Sequence, residues 1–259
     1  MVTWEVELFV YGAVKVSKTI AFRTQKGTQG INPFFSDIEI KNFNEGIIIN
    51  ATAFAPTSNL AHSAALIFVG QMLDCLVLEL DEPIPLFLSF DGKKFSSRPS
   101  NVRRFIEKRE FSQAFDESLY LSINEPTFLK AYGWYRKGLY SEDPFDIFLA
   151  LWNSLEIVTS KYHPRSERAR NGTKSQMWES FKIIWGECEN WPLIIRGDTE
   201  WIDRNYEVRN NIAHGIANVN IEQVEEVLSK IDTIRRVAHS FLKTWRHQQL
   251  FKDQHVQTD

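Results

Sequence analysis

The chain has 259 residues, enough for one large domain or two modest domains with full hydrophobic cores. Its hydrophobic fraction of 43% and its charged fraction of 24% are ordinary for a globular protein and exclude a disordered chain. A net charge of −3 excludes attraction of the whole molecule to nucleic acid, so any such binding must come from a local basic patch.

The cysteines and the N-terminal residues bear on cofactors and cellular compartment. Cys75 and Cys188 lie far apart in apolar surroundings, so we expect two buried thiols and neither a disulfide framework nor a zinc site. Glu5 and Glu7 stand where a signal peptide needs basic and then apolar residues. No apolar run approaches the length of a bilayer span. We therefore expect a cytoplasmic protein with no membrane segment, metal or cofactor.

Several β-strands are predicted near the N-terminus. Residues 4–16 alternate in polarity and are rich in Val, Phe and Trp, which indicates a strand. Residues 38–40 and 47–49 are further strand candidates. Between them, Asn44-Glu45-Gly46 has the composition of a tight turn, so the sequence predicts a β-hairpin.

A helix and two more strands complete the first domain. Residues 57–73 have a helical pattern, with a predicted apolar face of Leu60, Ala64, Ile67, Phe68 and Met72. Residues 75–80 and 84–90 predict strands. We therefore expect residues 1–100 to form a small α+β domain, in which one helix covers an antiparallel sheet. A sensor role, with a regulatory ligand or protein as its partner, is one interpretation, and residues 101–125 are interpreted as a connector.

The second half of the chain, residues 126–250, predicts an all-α domain. Pro126–Tyr140 has a helical pattern. Asp143-Pro144 then supplies an N-cap and a first helical residue for a longer helix that continues to about Tyr162. The predicted fold class is therefore a two-domain α+β chain with an N-terminal sheet domain and a C-terminal helical bundle.

Glu156 falls inside the apolar stripe of that longer helix, which consists of Phe145, Phe148, Leu149, Trp152 and Leu155. A carboxylate on a core face is costly unless it is paired or hydrogen-bonded. Two interpretations stay open. Glu156 occupies an edge position that reaches water, or it pairs with Arg209 or another cation and fixes that cation in place.

A basic loop interrupts the helices at residues 163–173, where Pro, Gly and Asn occur. With its flanks it sets five cations against Glu167 alone: Lys161, Arg165, Arg168, Arg170 and Lys174. A charged loop is usually solvated surface. If the chain binds RNA, however, this loop is the leading candidate for holding the phosphate backbone.

Three more helices are predicted after the basic loop. The first covers about residues 174–188, the second begins after Asp198 as its N-cap, and the third opens at a capping box of Asn220 and Gln223. Residues 251–259 predict a flexible polar tail. The core stripe of the third helix consists of Val224, Leu228, Ile231, Ala238, Phe241, Leu242 and Trp245.

The second of these helices carries the candidate functional residues. At about 100° per residue, Trp201, Val208 and Ile212 fall on one side and predict its buried face. Arg209 projects between the two faces. The opposite side carries a polar row of Asp203, Tyr206, Asn210 and His214.

These side chains suit the cleavage of RNA without a metal. A histidine such as His214 can take a proton from a hydroxyl or give one to a leaving oxygen. Arg209 can bind a phosphate through its two-pronged guanidinium and stabilise negative charge in the transition state. The Asn210 carboxamide can orient either partner. RNA supplies a 2′-hydroxyl as internal nucleophile, which DNA lacks.

The spacing Arg209-Asn210-x-x-x-His214 is similar to the R-x4–6-H signature of HEPN domains, helical modules that are often ribonucleases. Residues 151–156 also resemble the early helix of HEPN proteins, which often carries an acidic residue at this place. The signature stands at the end of the penultimate long helix, as in that family. The resemblance covers about residues 126–250 and implies an up-and-down bundle.

The resemblance implies roles for individual residues. His214 is expected to be the general acid and base, Arg209 to bind phosphate and Asn210 to orient, with support from Tyr206 and Asp203 on the same face and from the acidic residue of the early helix. HEPN domains typically dimerise, with their signature helices facing each other across a composite cleft. RNA as substrate and a homodimer are therefore expected, as is a setting in toxin–antitoxin or phage-defence systems.

Two other interpretations stay open. The chain also resembles methylamine-utilisation accessory proteins of the MauJ type in general layout. A non-catalytic HEPN-like scaffold could bind a nucleotide, RNA, a protein or a second copy of itself. Alternatively, the motif is coincidental, and Asp203 or Glu207 simply neutralises Arg209 in a helix-surface network.

Overall fold

The computed structural model describes residues 2–26, 34–87, 104–214 and 221–251. The chain divides into two compact units, Met1–Ile123 and Asn124–Asp259. An antiparallel sheet with one helix comes first, and a mostly helical region of six α-helices follows, which confirms the predicted fold class. Parts of the predicted 84–90 strand, the connector and the tail, as well as Asn220, lie outside the described residues.

The first unit is built on a five-stranded antiparallel sheet. Its strands are β1 Val2–Tyr11, β3 Ile20–Lys26, β4 Phe34–Phe43, β5 Gly46–Ala55 and β6 Leu86–Phe87. Their order is β3-β4-β5-β1-β6, and the short strands β2 Val14–Lys15 and β7 Arg104–Phe105 pair separately in parallel. Phe43 pairs with Gly46 at the end of β4 and β5, which confirms the predicted hairpin.

One face of the sheet is buried because inward and outward residues alternate along each strand. In β1, Val6, Leu8 and Val10 are at most 1% exposed, and Leu8 pairs with the buried Ile49 of β5. The single predicted strand over residues 4–16 is interrupted at Gly12, which has a φ of +143°. A Cβ there would lie 3.0 Å from the Pro83 carbonyl oxygen, so the break favours glycine.

Helix α1 spans Ser58–Leu80, so the predicted strand over residues 75–80 is wrong. Thr57 caps the helix by accepting a hydrogen bond from the Leu60 N–H, and Asp81 ends it with a left-handed φ of 54°. Four consecutive residues, 75–78, are buried. A helix segment that is buried on all sides has a continuous apolar run, and such a run also fits a buried strand.

The predicted apolar face of α1 is also wrong in part. Leu60 and Ile67 are 51% and 60% exposed, whereas Ala61, Ala65 and Val69 are fully buried. Small residues at the contact bring a helix close to its neighbours, but a hydropathy pattern favours the larger side chains. By length and composition α1 could also span a membrane, contrary to expectation; 56% of its apolar window is buried inside the protein, as in an ordinary core helix.

The remaining helices are α2 Lys108–Asn124, α3 Pro126–Tyr140, α4 Pro144–Tyr162, α5 Thr173–Trp185, α6 Trp201–Ala213 and α7 Ile221–Trp245. Asp143 caps α4 as predicted, by accepting hydrogen bonds from the N–H groups of Phe145 and Asp146. In the second unit α4 is central and packs against α3, α5, α6 and α7. Three short 3-10 helices lie at Arg168–Asn171, Cys188–Asn190 and Leu193–Ile195, and a π-helical turn, Arg246–Leu250, follows α7.

The core stripe of α7 agrees with prediction only in its second half. The buried residues of that half include Ala238, Phe241, Leu242 and Trp245. In the first half Leu228 is 51% exposed, and Val227 is buried instead. Apolar residues at 224, 227, 228 and 231 allow two overlapping stripes, so the packing partners decide which one is buried.

Candidate active site

Helix α6 has the two faces that the sequence predicts. Trp201 and Val208 are 4% and 6% exposed, and Ile212 is half-buried. Asn205 is a buried polar residue that the pattern does not reveal, and its amide donates a 2.7 Å hydrogen bond to the Trp201 carbonyl. That bond lets the amide lie on the packed side of the helix without an unsatisfied donor.

The start of α6 differs from prediction, because Glu200 and not Asp198 occupies the N-cap position. Asp198 instead accepts a 3.2 Å hydrogen bond from the Glu200 N–H and pairs with Arg204 at 2.5 Å. The helix therefore begins two residues later than a capping role for Asp198 requires.

Three members of the polar row of α6, Asp203, Tyr206 and Asn210, line an open groove, and His214 lies outside its lining. Asp203 and His214 are exposed, while Tyr206 and Asn210 are half-buried. The groove is lined by Lys174, Glu200, Asp203, Arg204, Tyr206, Glu207, Asn210 and Asn211. His214 is the C-cap residue of α6, and its N–H donates to the Asn210 carbonyl at 3.0 Å. The imidazole is thus carried at an exposed helix end.

Arg209 is held between its neighbours on α6 and a carboxylate on α4. Its Nε lies 3.3 Å from Oε2 of Glu156, with the two side chains only 26% and 19% exposed. The contact of Nε with Glu156 is an ion pair without a hydrogen bond, whereas another guanidinium nitrogen of Arg209 donates a 3.2 Å hydrogen bond to Oδ1 of Asn210. Of the two interpretations of Glu156, the ion pair with Arg209 is the one that the structure contains.

Trp152 fixes the carboxylate of that ion pair, a contact that sequence reasoning missed. Its indole N–H donates a 3.0 Å hydrogen bond to the same Oε2 of Glu156, one helical turn along α4. The Trp152 ring is fully buried and lies 6.2 and 6.3 Å from the rings of Trp201 and Tyr206. The i, i+4 spacing of Trp152 and Glu156 was the available signal.

Residues 131–243 match the family model of methylamine utilization protein MauJ. The matched region begins within α3, ends within α7 and contains every residue of the candidate site. It covers less than half of the chain, and the whole sheet unit lies outside it. No curated protein matches the chain, and no solved structure does.

Within the MauJ-matched region, the cations of the groove are already paired with carboxylates. Lys174 lies 2.5 Å from Asp203, and Arg204 contacts Asp198 and also Glu200, at 3.4 Å. Hydrogen bonding to Asp203 raises the pKa of Lys174, and hydrogen bonding to Asp198 raises the pKa of Arg204. The groove itself therefore offers a polyanion little unbalanced positive charge.

The structure separates the five cations of the basic loop. Lys161, Arg165 and Arg170 are exposed on the surface, and Arg170 belongs to the short helix Arg168–Asn171. Lys174 lines the groove beside Asp203. The Arg168 guanidinium lies 4.6 Å from the centre of the Trp178 ring, a contact with no sequence signal beyond residue type.

The structure also bears on metals and thiols. Across residues 2–26, 34–87, 104–214 and 221–251, no group of three His, Cys, Asp or Glu side chains could hold a metal ion. Cys75 and Cys188 are buried thiols outside any disulfide, as predicted. Burial raises the pKa of Cys188, so its thiolate is disfavoured.

Proposed function

We propose that this protein is a metal-independent endoribonuclease of the HEPN type. The observation that carries the proposal is the placement of Arg209, which Glu156 holds beside Asn210 on the helix that ends in the exposed His214. The resemblance of Arg209-Asn210-x-x-x-His214 to the HEPN signature supports it. A guanidinium held in place and an accessible imidazole on the same helix are the groups that acid–base chemistry on a phosphodiester needs.

In the proposed reaction the RNA 2′-oxygen attacks the adjacent phosphorus. The new bond joins phosphorus to O2′, the bond from phosphorus to O5′ breaks, and a 2′,3′-cyclic phosphate and a 5′-hydroxyl end result. His214 accepts the 2′-hydroxyl proton or donates a proton to the leaving O5′. The remaining guanidinium nitrogen of Arg209 contacts a nonbridging oxygen, and Asn210 orients the arginine. Tyr206 and Asp203, in the polar row of α6, support these groups.

A homodimer completes the proposed site. Two copies whose α6 polar rows face each other bring together two His214 side chains, so one imidazole can act as base and the other as acid. The groove beside α6 then belongs to a cleft between copies. The loop cations Lys161, Arg165, Arg168 and Arg170 would hold the RNA backbone outside that cleft, and Lys174 would contact the RNA within the groove.

The proposal is tested by RNA cleavage in excess EDTA with the wild type, Arg209→Ala and His214→Ala. We expect cleavage by the wild type and a loss of about 100-fold or more in each variant, the range for a general acid–base or for a charge-stabilising group. Equal cleavage by all three proteins would indicate a contaminating nuclease. Circular dichroism of each variant checks that the fold is intact.

A second candidate function is a non-catalytic scaffold that binds a protein partner, a nucleotide or itself. The favouring observation is that Arg209, Lys174 and Arg204 are all paired with carboxylates. Such pairs are common in helix-surface networks without catalysis. Inertness on both structured and unstructured RNAs, together with a stable dimer, would favour this scaffold.

The biological setting follows from the HEPN resemblance alone. Proteins of this kind often belong to toxin–antitoxin or phage-defence systems, and we propose a cytoplasmic role of that sort. The sheet unit is then the candidate sensor or inhibitor domain. It would bind a regulatory ligand or protein partner and so control the nuclease. Expression of the wild type and of His214→Ala in bacteria tests the toxin role, because growth arrest by the wild type alone would tie the toxicity to His214.

A further inference from the structure

The Arg168 guanidinium lies over the indole ring of Trp178, on the helix that carries Lys174 of the groove. The guanidinium carbon lies 4.6 Å from the ring centroid, within the range of a cation–π contact. Arg168 is exposed, and Trp178 is half-buried. The indole therefore covers one side of the guanidinium group, while Arg168 as a residue stays exposed to solvent.

The base of this stack is rigid. The Trp178 ring makes an edge-to-face contact with Trp191 at 4.8 Å, and Trp191 is 1% exposed. Trp191 is itself fixed by a hydrogen bond from its indole N–H to the Gly186 carbonyl at 3.2 Å. An arginine ordered on such a support loses little conformational entropy when a ligand binds to it.

Helix α5 connects the stack with the groove. Lys174 and Trp178 are four residues apart on α5 and therefore lie on one side of it. At the other end of this row, Lys174 pairs with Asp203 and lies 5.8 Å from the Tyr206 ring. A strand of RNA at the α6 polar row can continue along this side of α5 to Arg168.

We propose that Arg168, ordered on Trp178, is a base-stacking subsite for single-stranded RNA, in a proposal that rests on the ribonuclease function. An unpaired base can stack on a guanidinium plane, whereas the bases of a duplex are hidden in their own stack. The substrate class is therefore RNA with unpaired nucleotides near the cleavage position. Arg168 acts through its plane as well as its charge.

The test measures fluorescence anisotropy with a labelled single-stranded RNA of about eight nucleotides, and with the same strand in a duplex. All proteins carry His214→Ala so that the RNA is not cleaved. Arg168→Lys keeps the charge and removes the plane. Arg196→Lys is the matched control, because Arg196 is exposed, has no assigned part in RNA binding and contacts no aromatic ring of the described residues.

We expect Arg168→Lys to weaken single-strand binding at least about fivefold, and Arg196→Lys less than about twofold. Trp178→Leu should reproduce the Arg168→Lys loss, since it removes the support. Equal effects of the two lysine variants would overturn the stacking role, as would an equal loss for duplex and single strand. Either result would mean that Arg168 contacts only a phosphate and stacks on no base.

Failure of this subsite and failure of the proposed function give different results. If Arg168→Lys binds single strands like its parent while Arg209 and His214 remain essential for cleavage, the subsite alone is wrong. If single-strand binding depends on Arg168 but Arg209→Ala and His214→Ala leave cleavage unchanged, the catalytic assignment is wrong.

Discussion

Glu156 and Arg209 form an ion pair between α4 and α6, with 3.3 Å between Oε2 and Nε. The same carboxylate oxygen accepts the indole N–H of the fully buried Trp152. The carboxylate is thus held by the core of the helical unit, and the guanidinium is held by the carboxylate. If Arg209 serves RNA cleavage, its orientation depends on a residue that never contacts the substrate.

Glu156→Gln is therefore expected to lower both stability and cleavage. Loss of the carboxylate leaves a partly buried cation without its partner, and we expect a decrease of about 1–3 kcal/mol in the free energy of unfolding. Cleavage should fall at least about tenfold, because fixed geometry is essential for electrostatic stabilisation. Urea unfolding and initial cleavage rates measure the two effects.

Glu207→Gln is the matched control for that change, because Glu207 is an exposed acid two residues before Arg209. It should leave both quantities nearly unchanged. A double-mutant cycle of Glu156→Gln with Arg209→Ala isolates the coupling of the pair. Additive effects in the cycle would show that the pair carries no coupling energy.

Gly138→Ala should destabilise the helical unit although alanine favours helices more than glycine. A Cβ on Gly138 would lie 2.7 Å from Cγ and Cδ2 of Leu151, so α3 and α4 could not approach as closely. We expect a loss of about 1–3 kcal/mol in the free energy of unfolding, as for other overpacked cores. Unfolding in urea measures it.

Leu151→Ala provides the control for this contact. The double variant should cost less than the sum of the two single variants, because truncation of Leu151 makes room for the new Cβ. A gain in stability of Gly138→Ala, equal to its advantage in helix propensity of about 1 kcal/mol, would mean that the close approach does not exist.

Tyr162 should make stability depend on pH in the alkaline range. Burial, followed by a hydrogen bond to the Glu125 carboxylate, raises the pKa of Tyr162 above its usual value. The folded state therefore holds the phenol proton more tightly than the unfolded chain. This contribution to stability is fully present below about pH 10 and decreases as the pH rises above that value.

Tyr162→Phe removes this titration and the 2.5 Å hydrogen bond to Glu125. We expect a loss of about 1–2 kcal/mol at pH 7 and a shallower fall in stability above about pH 10 than in the wild type. Tyr140→Phe, at a tyrosine that is 40% exposed, is the control. Identical alkaline curves for wild type and Tyr162→Phe would contradict the assignment.

Much of the helical unit could be predicted because local signals and packing agree. Pro126–Tyr140 has the predicted bounds, and the Asp143-Pro144 start of α4 has the predicted cap. The end of α1 could not be predicted in this way. Its residues 75–80 are apolar on nearly every side of the helix, so the periodicity that separates helix from strand is missing.

In the candidate site, too, relations within one helix could be predicted, whereas contacts between elements could not. Spacing along one helix placed Asp203, Tyr206, Asn210 and His214 in one row, since that relation is local. The sequence did not decide the contacts between elements. The Glu156–Arg209 pair was one of two interpretations, and the contact of Arg168 with Trp178 was not predicted. Such contacts depend on rotamers and on how helices pack.

The proposed dimer predicts a mass in solution of twice the 30.2 kDa chain. Asn211 is exposed and lines the groove but has no role in the proposed chemistry. Asn211→Arg should place like charges opposite each other in a symmetric interface and shift the protein to monomer. Glu222→Arg, at an exposed position on α7, should leave the mass unchanged. Light scattering that gives a monomeric wild type at all concentrations would contradict the dimer.

The most direct test of the account is the chemistry of the cut ends in excess EDTA. A defined RNA and the same RNA with one 2′-deoxy nucleotide at the cleavage position are incubated with the wild type and with His214→Ala. For the wild type, the account predicts a 2′,3′-cyclic phosphate and a 5′-hydroxyl from the all-ribose strand and no cleavage of the deoxy strand at that position. For His214→Ala, it predicts no cleavage of either strand there. Cleavage of the deoxy strand at the same position, or full activity of His214→Ala, would contradict it.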